Sequence, residues 1–368
     1  MTVTETLPTQ TPSAQAPSAE TRAGQTPLGQ ARPARLGYVP ALDGLRALAI
    51  ALVAIYHGVM PAHFGGAGGV DVFFVLSGFL ITTLLLEEWD SRAAVSFRRF
   101  YLRRFARLGP PLAVMLAVVF VPIAITMGLS TALGGTALSV FYAMPIGAES
   151  GATALSPYEH TWSLGVEEWF YVLWPPILVL LLRVRRRWAV IGAAVMTVVL
   201  VLAAFAAEAE SAEVSFILRA GGLMAGCVLA LVLHSRTFTA PRWIGPAGLV
   251  LVGVSVLRSS IAPFSTIDVL TAVAGTLLLI VGITRGPRGV LHRVLSLRPM
   301  TYVGRISYEI YLWHYPVLCV FGVLNHSDWL EVGWLALPVS VVLAAAAHRV
   351  TQPLIAGLRT RMARWIPA

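Results

Sequence analysis

A chain of 368 residues with 57% hydrophobic and 12% charged residues has too little polar surface for a water-soluble domain, and the composition is that of a polytopic membrane protein. The formal net charge of +9 comes from 27 basic residues, every one an arginine, which reads as a coding bias. Because these arginines cluster between apolar runs rather than on one soluble face, the charge argues against a nucleic-acid-binding protein.

Residues 1–39 are rich in Pro, Thr, Ala, Gln and Ser and are expected to form a disordered cytoplasmic tail. They lack an apolar h-region, so no cleaved signal peptide is expected. Eleven apolar runs follow, over 44–61, 69–87, 109–128, 131–147, 162–182, 188–206, 214–234, 243–257, 267–284, 303–324 and 331–352. Most approach the ~20 residues that a spanning helix needs.

Arginine placement decides how many of these runs cross the membrane, since cytoplasmic connections carry the basic residues. With the N-terminus inside, loop 88–108 is cytoplasmic, with Arg92, Arg98, Arg99, Arg103, Arg104 and Arg107. If 131–147 does not span, Arg183–Arg187, Arg236, Arg242, Arg285–Arg298 and Arg359–Arg364 all fall inside, and Glu208, Glu210 and Glu213 fall outside. Arg258 is the one loop arginine that breaks the pattern. The expectation is an all-α bundle of ten spanning helices with both termini cytoplasmic. Run 131–147, with Gly134 and Gly135, would be re-entrant or interfacial. The membrane domain would cover 40–355, followed by a basic cytoplasmic tail over 356–368.

Within the first run, Arg46 and His57 are eleven residues apart, which places them on one helix face about 16 Å apart along the axis. Titratable groups at membrane depth are costly and face a bundle interior or a wet cavity. The next run enters from outside through GGAGGVDVFFVLSGFLIT, with Asp71 near its outer end and Ser77 about two turns deeper. The stretch HTWSLGVEE, residues 160–168, opens a later helix, and there Ser163, Glu167 and Tyr171 share a face at i, i+4, i+8. His57, Asp71, His160 and Glu167 are thus expected to converge in the outer half of the bundle.

Each of these residues also has a structural reading. His57 and His314 would serve to hydrogen-bond neighbouring helices. Asp71 would cap its helix, and Glu167 and Glu168 would favour the dipole of a first helical turn. The run RRFYLRRFAR, residues 98–107, would be only a positive-inside signal. Its functional reading is phosphate binding by Arg103, Arg104 and Arg107, beside a helix opening with Gly109-Pro110-Pro111. Cys227 and Cys319 lie in apolar stretches and imply no disulfide framework. The sequence contains no Walker or zinc motif and no nucleotide-binding glycine fingerprint, and no metal site is expected.

DGLRALAIALVAIYH, GGVDVFFVLSGFLIT, RRFARLGPP, HTWSLGVEEWFY and ISYEIYLWHYPV occur in this order, and together they resemble the acyltransferase-3 family over roughly residues 37–355. That family comprises integral membrane proteins that O-acylate carbohydrates of envelopes and capsules, and in actinobacteria also macrolides. The resemblance matches Arg46 and His57 to an Arg/Lys-x10-His pair and Arg104 and Arg107 to Arg-x-x-Arg. Ser163, Leu164, Glu167 and Glu168 match Ser-Leu-x-x-Glu-Glu, and Tyr311, Leu312, His314 and Pro316 match Tyr-Leu-x-His-x-Pro. Arg219 sits where many members have an arginine opening a helix. Members often carry Glu-x-Pro near the end of the last helix, where this chain has Thr351-Gln352-Pro353.

The resulting expectation is a membrane O-acyltransferase with acyl-CoA as co-substrate and no tightly bound cofactor. Its acceptor would be a hydroxylated sugar or natural product. His57 would act as general base or transient acyl carrier, with Asp71 or Glu167 orienting it. Arg103, Arg104 and Arg107 would bind the coenzyme A diphosphate, and Arg46 would steady the thioester arm or the helix register. Ser77, His160, Ser163, Glu168, Tyr311 and His314 would complete the substrate contacts. The alternative is a transporter or flippase of a lipid-linked sugar, against which stands the absence of a visible two-fold repeat of apolar segments.

Overall fold

The computed structural model describes residues 1–2, 36–58, 67–149, 153–207, 216–262, 265–325 and 329–365. The chain divides into Met1–Ala34 and Arg35–Ala368. Of the first unit only Met1 and Thr2 are described, so the predicted tail lies almost wholly outside the described residues, as do His63, Glu208, Glu210 and Glu213.

The described part of the second unit is helical, with no strand. Its elements are α1 (Pro40–Gly58), α2 (Ala67–Arg92), α3 (Phe97–Met127), α4 (Leu129–Val140), α5 (Met144–Glu149), a 3-10 helix (Thr153–Thr161), α6 (Trp162–Val184) and α7 (Arg186–Ala207). Then come α8 (Phe216–Ser235), α9 (Ile244–Ile261), α10 (Thr266–Arg285), α11 (Val290–Leu295), α12 (Arg298–Arg305), α13 (Ser307–Asn325) and α14 (Trp329–Trp365).

Among the described residues nine helices are long and apolar enough to cross a membrane: α1, α2, α3, α6, α7, α8, α9, α10 and α14. The tenth predicted span is α13, whose 19 residues rise about 28 Å. It carries Glu309, His314 and three tyrosines. Run 131–147 is broken into the 12-residue α4 and the 6-residue α5. A 12-residue helix rises only about 18 Å, well short of a ~30 Å hydrocarbon core. The protein is therefore a multi-pass membrane protein built as a helical bundle. Its periphery fits a lipid solvent: Ile125, Ile261, Val198 and Leu202 are large apolar residues left exposed.

Two predicted boundaries are corrected. The basic loop 88–108 is mostly helix, because α2 continues to Arg92 and α3 begins at Phe97. Ser96 caps α3 by accepting from the Arg99 amide, and the run that follows is rich in helix-forming Arg, Leu and Ala. Likewise α14 runs on past the predicted boundary at 355 to Trp365, through residues of high helix propensity.

Helix α2 is the most enclosed span, 72% of its apolar window being buried against 11% for α7. One core joins α1, α3, α6, α13 and α14 through Ile50, Val53, Met115, Leu164, Leu318 and Ala344. A second joins α1, α2, α8 and α10 through Leu45, Leu76, Phe79, Leu218 and Ile280. Helix α1 therefore stands between both cores. It is seated by backbone contact at each end. A Cβ on Gly304 would collide with the Asp43 carbonyl, and one on Gly333 with the Gly58 carbonyl. Glycine is thus required where α12 and α14 meet α1.

Candidate active site

Arg46 and His57 lie on α1 as the spacing predicts. Arg46 donates from Nε to the Gly304 carbonyl (3.3 Å) and from Nη2 to Ser307 Oγ (3.0 Å). Its guanidinium carbon lies 5.5 Å from the centre of the Phe73 ring, within cation–π range. The residue thus fixes α12 and α13 against α1.

The hydrogen bonds around His57 assign its tautomer. Nδ1 lies 2.9 Å from the Val53 carbonyl and 3.4 Å from His314 Nε2. A carbonyl only accepts, so the His57 proton is on Nδ1. His314 Nδ1 in turn lies 2.7 Å from the Tyr311 carbonyl, which puts the His314 proton on Nδ1 and leaves its Nε2 an acceptor. His57 Nδ1–H is therefore shared between Val53 and His314, and the lone pair of neutral His57 is on Nε2. The ring is only partly buried, packed edge-on against Tyr56 and Tyr315.

His160 joins this cluster from the 3-10 helix. It stacks on Tyr315 (5.2 Å between ring centres) and meets His314 edge-on (5.5 Å). Its carbonyl accepts from the Tyr311 hydroxyl, and Ser163 Oγ donates to the Tyr311 oxygen at 2.7 Å. His57, His160, His314, Ser163 and Tyr311 thus form one assembly.

The two carboxylates expected beside His57 are elsewhere. Among the described residues no hydrogen bond joins His57 to Asp71 or Glu167. Asp71 is the fifth residue of α2, too far in to cap it. It is buried and paired with Arg219 of α8 (3.3 Å), whose guanidinium lies over Trp162 at 5.1 Å. Unpaired burial of either charge would be costly, and each answers the other. Glu167 accepts from Ser77 and from Tyr171 and lies 3.8 Å from Arg104, which also approaches Glu168 at 3.4 Å. The Arg104 guanidinium stacks on the Tyr171 ring. Neither glutamate is in a first helical turn, since α6 starts at Trp162. The orienting group for His57 is therefore the Val53 carbonyl with His314, which the sequence reading did not assign.

Two cavities lie beside these groups, and neither is lined by His57, His160 or His314. The outer one, about 960 Å³ including its open mouth, is lined by Arg104, Arg107, Glu87, Leu36 and Leu84. The inner one, about 460 Å³ measured in the same way, is lined by Val70, Phe73, Phe74, Ser163, Leu164 and Tyr311. Arg46, Ser77, Glu167 and Tyr308 line both, so the two are adjacent. Arg103 is exposed and lines neither cavity. Helix α3 puts Arg104 and Arg107 one turn apart, as predicted. Thr351 is buried and hydrogen-bonds within α14 to the Ala347 carbonyl. One turn before it, His348 pairs with the buried Glu309 (2.6 Å), a couple that no motif pointed to. No group of three or more His, Cys, Asp or Glu among the described residues is arranged to hold a metal ion.

Residues 39–349 match the family described as "Acyltransferase domain", and the chain belongs to that family of acyl-transferring enzymes. It is 31% identical over 342 residues to the peptidoglycan O-acetyltransferase OatA of Listeria monocytogenes, covering 85% of this chain and 55% of that protein. It is 32% identical over 349 residues to the putative peptidoglycan O-acetyltransferase YrhL of Bacillus subtilis, covering 86% and 55%. With the O-acetyltransferase OatA of Staphylococcus aureus the identity is 29% over 315 residues, covering 76% and 51%. The chain thus spans about half the length of the curated relatives it matches. No solved structure matches it.

Proposed function

We propose that the chain is a membrane O-acyltransferase. It moves an acetyl or other short acyl group from cytoplasmic acyl-CoA to a hydroxyl of a carbohydrate or of a glycosylated or macrolide-type natural product. The observation that carries this reading is the His57 tautomer: its protonated nitrogen is held by Val53 and His314, and its basic nitrogen is left for chemistry. In the proposed step, His57 Nε2 takes the proton of the acceptor hydroxyl. The freed oxygen attacks the thioester carbonyl, the carbon–sulfur bond breaks, and the departing thiolate recovers the proton from the imidazolium. The diphosphate of coenzyme A binds Arg104 and Arg107 at the mouth of the outer cavity, and its thioester arm passes Arg46, Ser77 and Glu167 into the inner cavity. Arg103, lining neither cavity, contributes long-range charge or topology. The names of the relatives support an acetyl group and a carbohydrate acceptor.

This reading places both termini in the cytoplasm. A reporter fused after Arg187 is then cytoplasmic, and one near Glu210 external. The reaction is tested with the purified protein in lipid nanodiscs given acetyl-CoA, with and without peptidoglycan fragments. Acceptor-dependent release of free thiol together with an acetylated sugar by mass spectrometry is the expected result. Intact acetyl-CoA with every acceptor defeats the reading and favours a transporter.

A further inference from the structure

The inner cavity has a mixed lining, polar at Ser77, Ser163, Glu167 and Tyr311 and apolar at Val70, Phe73, Phe74 and Leu164. Three of the four apolar residues and Ser77 come from α2 at positions i, i+3, i+4 and i+7, a single helical stripe about 10 Å long. Ser77, at its lower end, is shared with the outer cavity.

The upper end can be placed relative to His57. Gly69, beside Val70, lies against the Ala49 carbonyl and the Val53 side chain. His57 Nδ1 bonds the Val53 carbonyl. The Val70 end of the stripe is therefore the end nearer the turn of α1 that precedes His57. In the proposed reaction the thioester arm enters the inner cavity, and Val70, Phe74 and Leu164 are the apolar lining that its acyl carbons meet there. This lining is backed by rings in series. Phe74 meets Trp162 edge-on at 6.4 Å, and Trp162 meets Phe216 at 5.1 Å and lies under Arg219. Phe74 is itself fully buried, so it cannot swing aside into solvent.

Resting on the acyltransferase reading above, we infer that Val70, Phe74 and Leu164 are the acyl-chain selector of this protein. They form a fixed apolar end-wall that admits short acyl groups and turns away longer ones. A closed apolar pocket discriminates by about 10–200-fold per methylene.

The test is the ratio of kcat/KM for butyryl-CoA to that for acetyl-CoA, measured on the full chain in nanodiscs. Phe74→Ala raises the ratio about 10–100-fold over wild type. The milder Phe74→Leu, and Leu164→Ala on the facing helix, raise it by less. Val70→Phe lowers it. An unchanged ratio in those of these variants that fold, with acetyl transfer retained, overturns the assignment. If the wild-type protein consumes no acyl-CoA, the acyl-transfer reading itself fails, and that result is distinct from an unmoved ratio.

Discussion

Replacing His57 with glutamine separates packing from chemistry. The imidazole makes one well-formed hydrogen bond, to the Val53 carbonyl at 2.9 Å, and one long contact to His314 at 3.4 Å. A glutamine amide still donates to a carbonyl, so the change loses at most about one neutral hydrogen bond, ~0.5–1.5 kcal/mol. Its effect on chemistry is of another size. Glutamine has no titratable lone pair, and removing a general base costs about 10²–10⁴ in rate, or about 2.7–5.5 kcal/mol of barrier. The expected outcome is a protein that inserts, elutes as wild type from size exclusion and keeps its thermal midpoint within a few degrees, yet transfers acetyl at least ~100-fold more slowly. His314→Ala should fall between the two, because it removes the acceptor that helps set the tautomer but leaves the base in place. Acetyl transfer by equal amounts of purified His57→Gln and wild type is the deciding assay. Turnover within threefold of wild type would refute the catalytic reading and leave His57 as a packing residue.

Three further outcomes follow from the same geometry. Arg104→Gln with Arg107→Gln should raise the KM for acyl-CoA by roughly tenfold or more, each charge-assisted phosphate contact contributing ~1.5–3 kcal/mol before screening; unchanged donor kinetics in an inserted double variant would reduce the pair to a topology signal. Arg219→Gln should destabilise the fold by about 3–5 kcal/mol by stranding buried Asp71, and adding Asp71→Asn should recover much of it; equal thermal midpoints for the single variant and wild type would show that the pair is not structural. Gly304→Ala should cost about 1–3 kcal/mol by overpacking α12 against the Asp43 carbonyl, with a lower thermal midpoint and a weakened Arg46 anchor; a protein as stable and active as wild type would show that the contact relaxes freely.

The parts of this fold that the sequence made legible were those governed by single-helix geometry. Apolar length located the spanning segments, and arginine placement singled out 131–147, which the fold breaks into two short helices. The eleven-residue interval placed Arg46 and His57 on one helix. What stayed hidden needed knowledge of which helices touch. Asp71 and Glu167 sit at plausible depths on the right helices, but depth does not say which way a side chain turns. One faces α8 and Arg219, the other α3 and Arg104. The partner that orients His57 is in part a backbone carbonyl four residues earlier, a group every residue has and no motif can flag. Ser96 is a readable signal: a serine just before FRRFYLRRFAR is a helix cap, and it turns the basic loop into the first turns of α3. Arg258, the arginine that broke the charge pattern, is bonded to Asp268 and Ser265 at the start of α10. An arginine paired with a carboxylate presents little net charge, which explains why it did not follow the others.

The seating of α1 bears on how the protein can move. Its lower end is pressed against α12 at Gly304 and its upper end against α14 at Gly333, while Arg46 stitches it to α13. Main chain against main chain leaves no compressible side chain between the helices, so α1 can neither slide along its axis nor rotate without prising two neighbours away. The helix that holds His57 is therefore a stator. Binding of the proposed acyl-CoA would then call on the Arg104 side chain and on the 36–39 segment at the mouth of the outer cavity, where the Leu36 amide is tied to Glu87. Slow amide exchange along α1, beside faster exchange at residues 36–39, is the signature of that division.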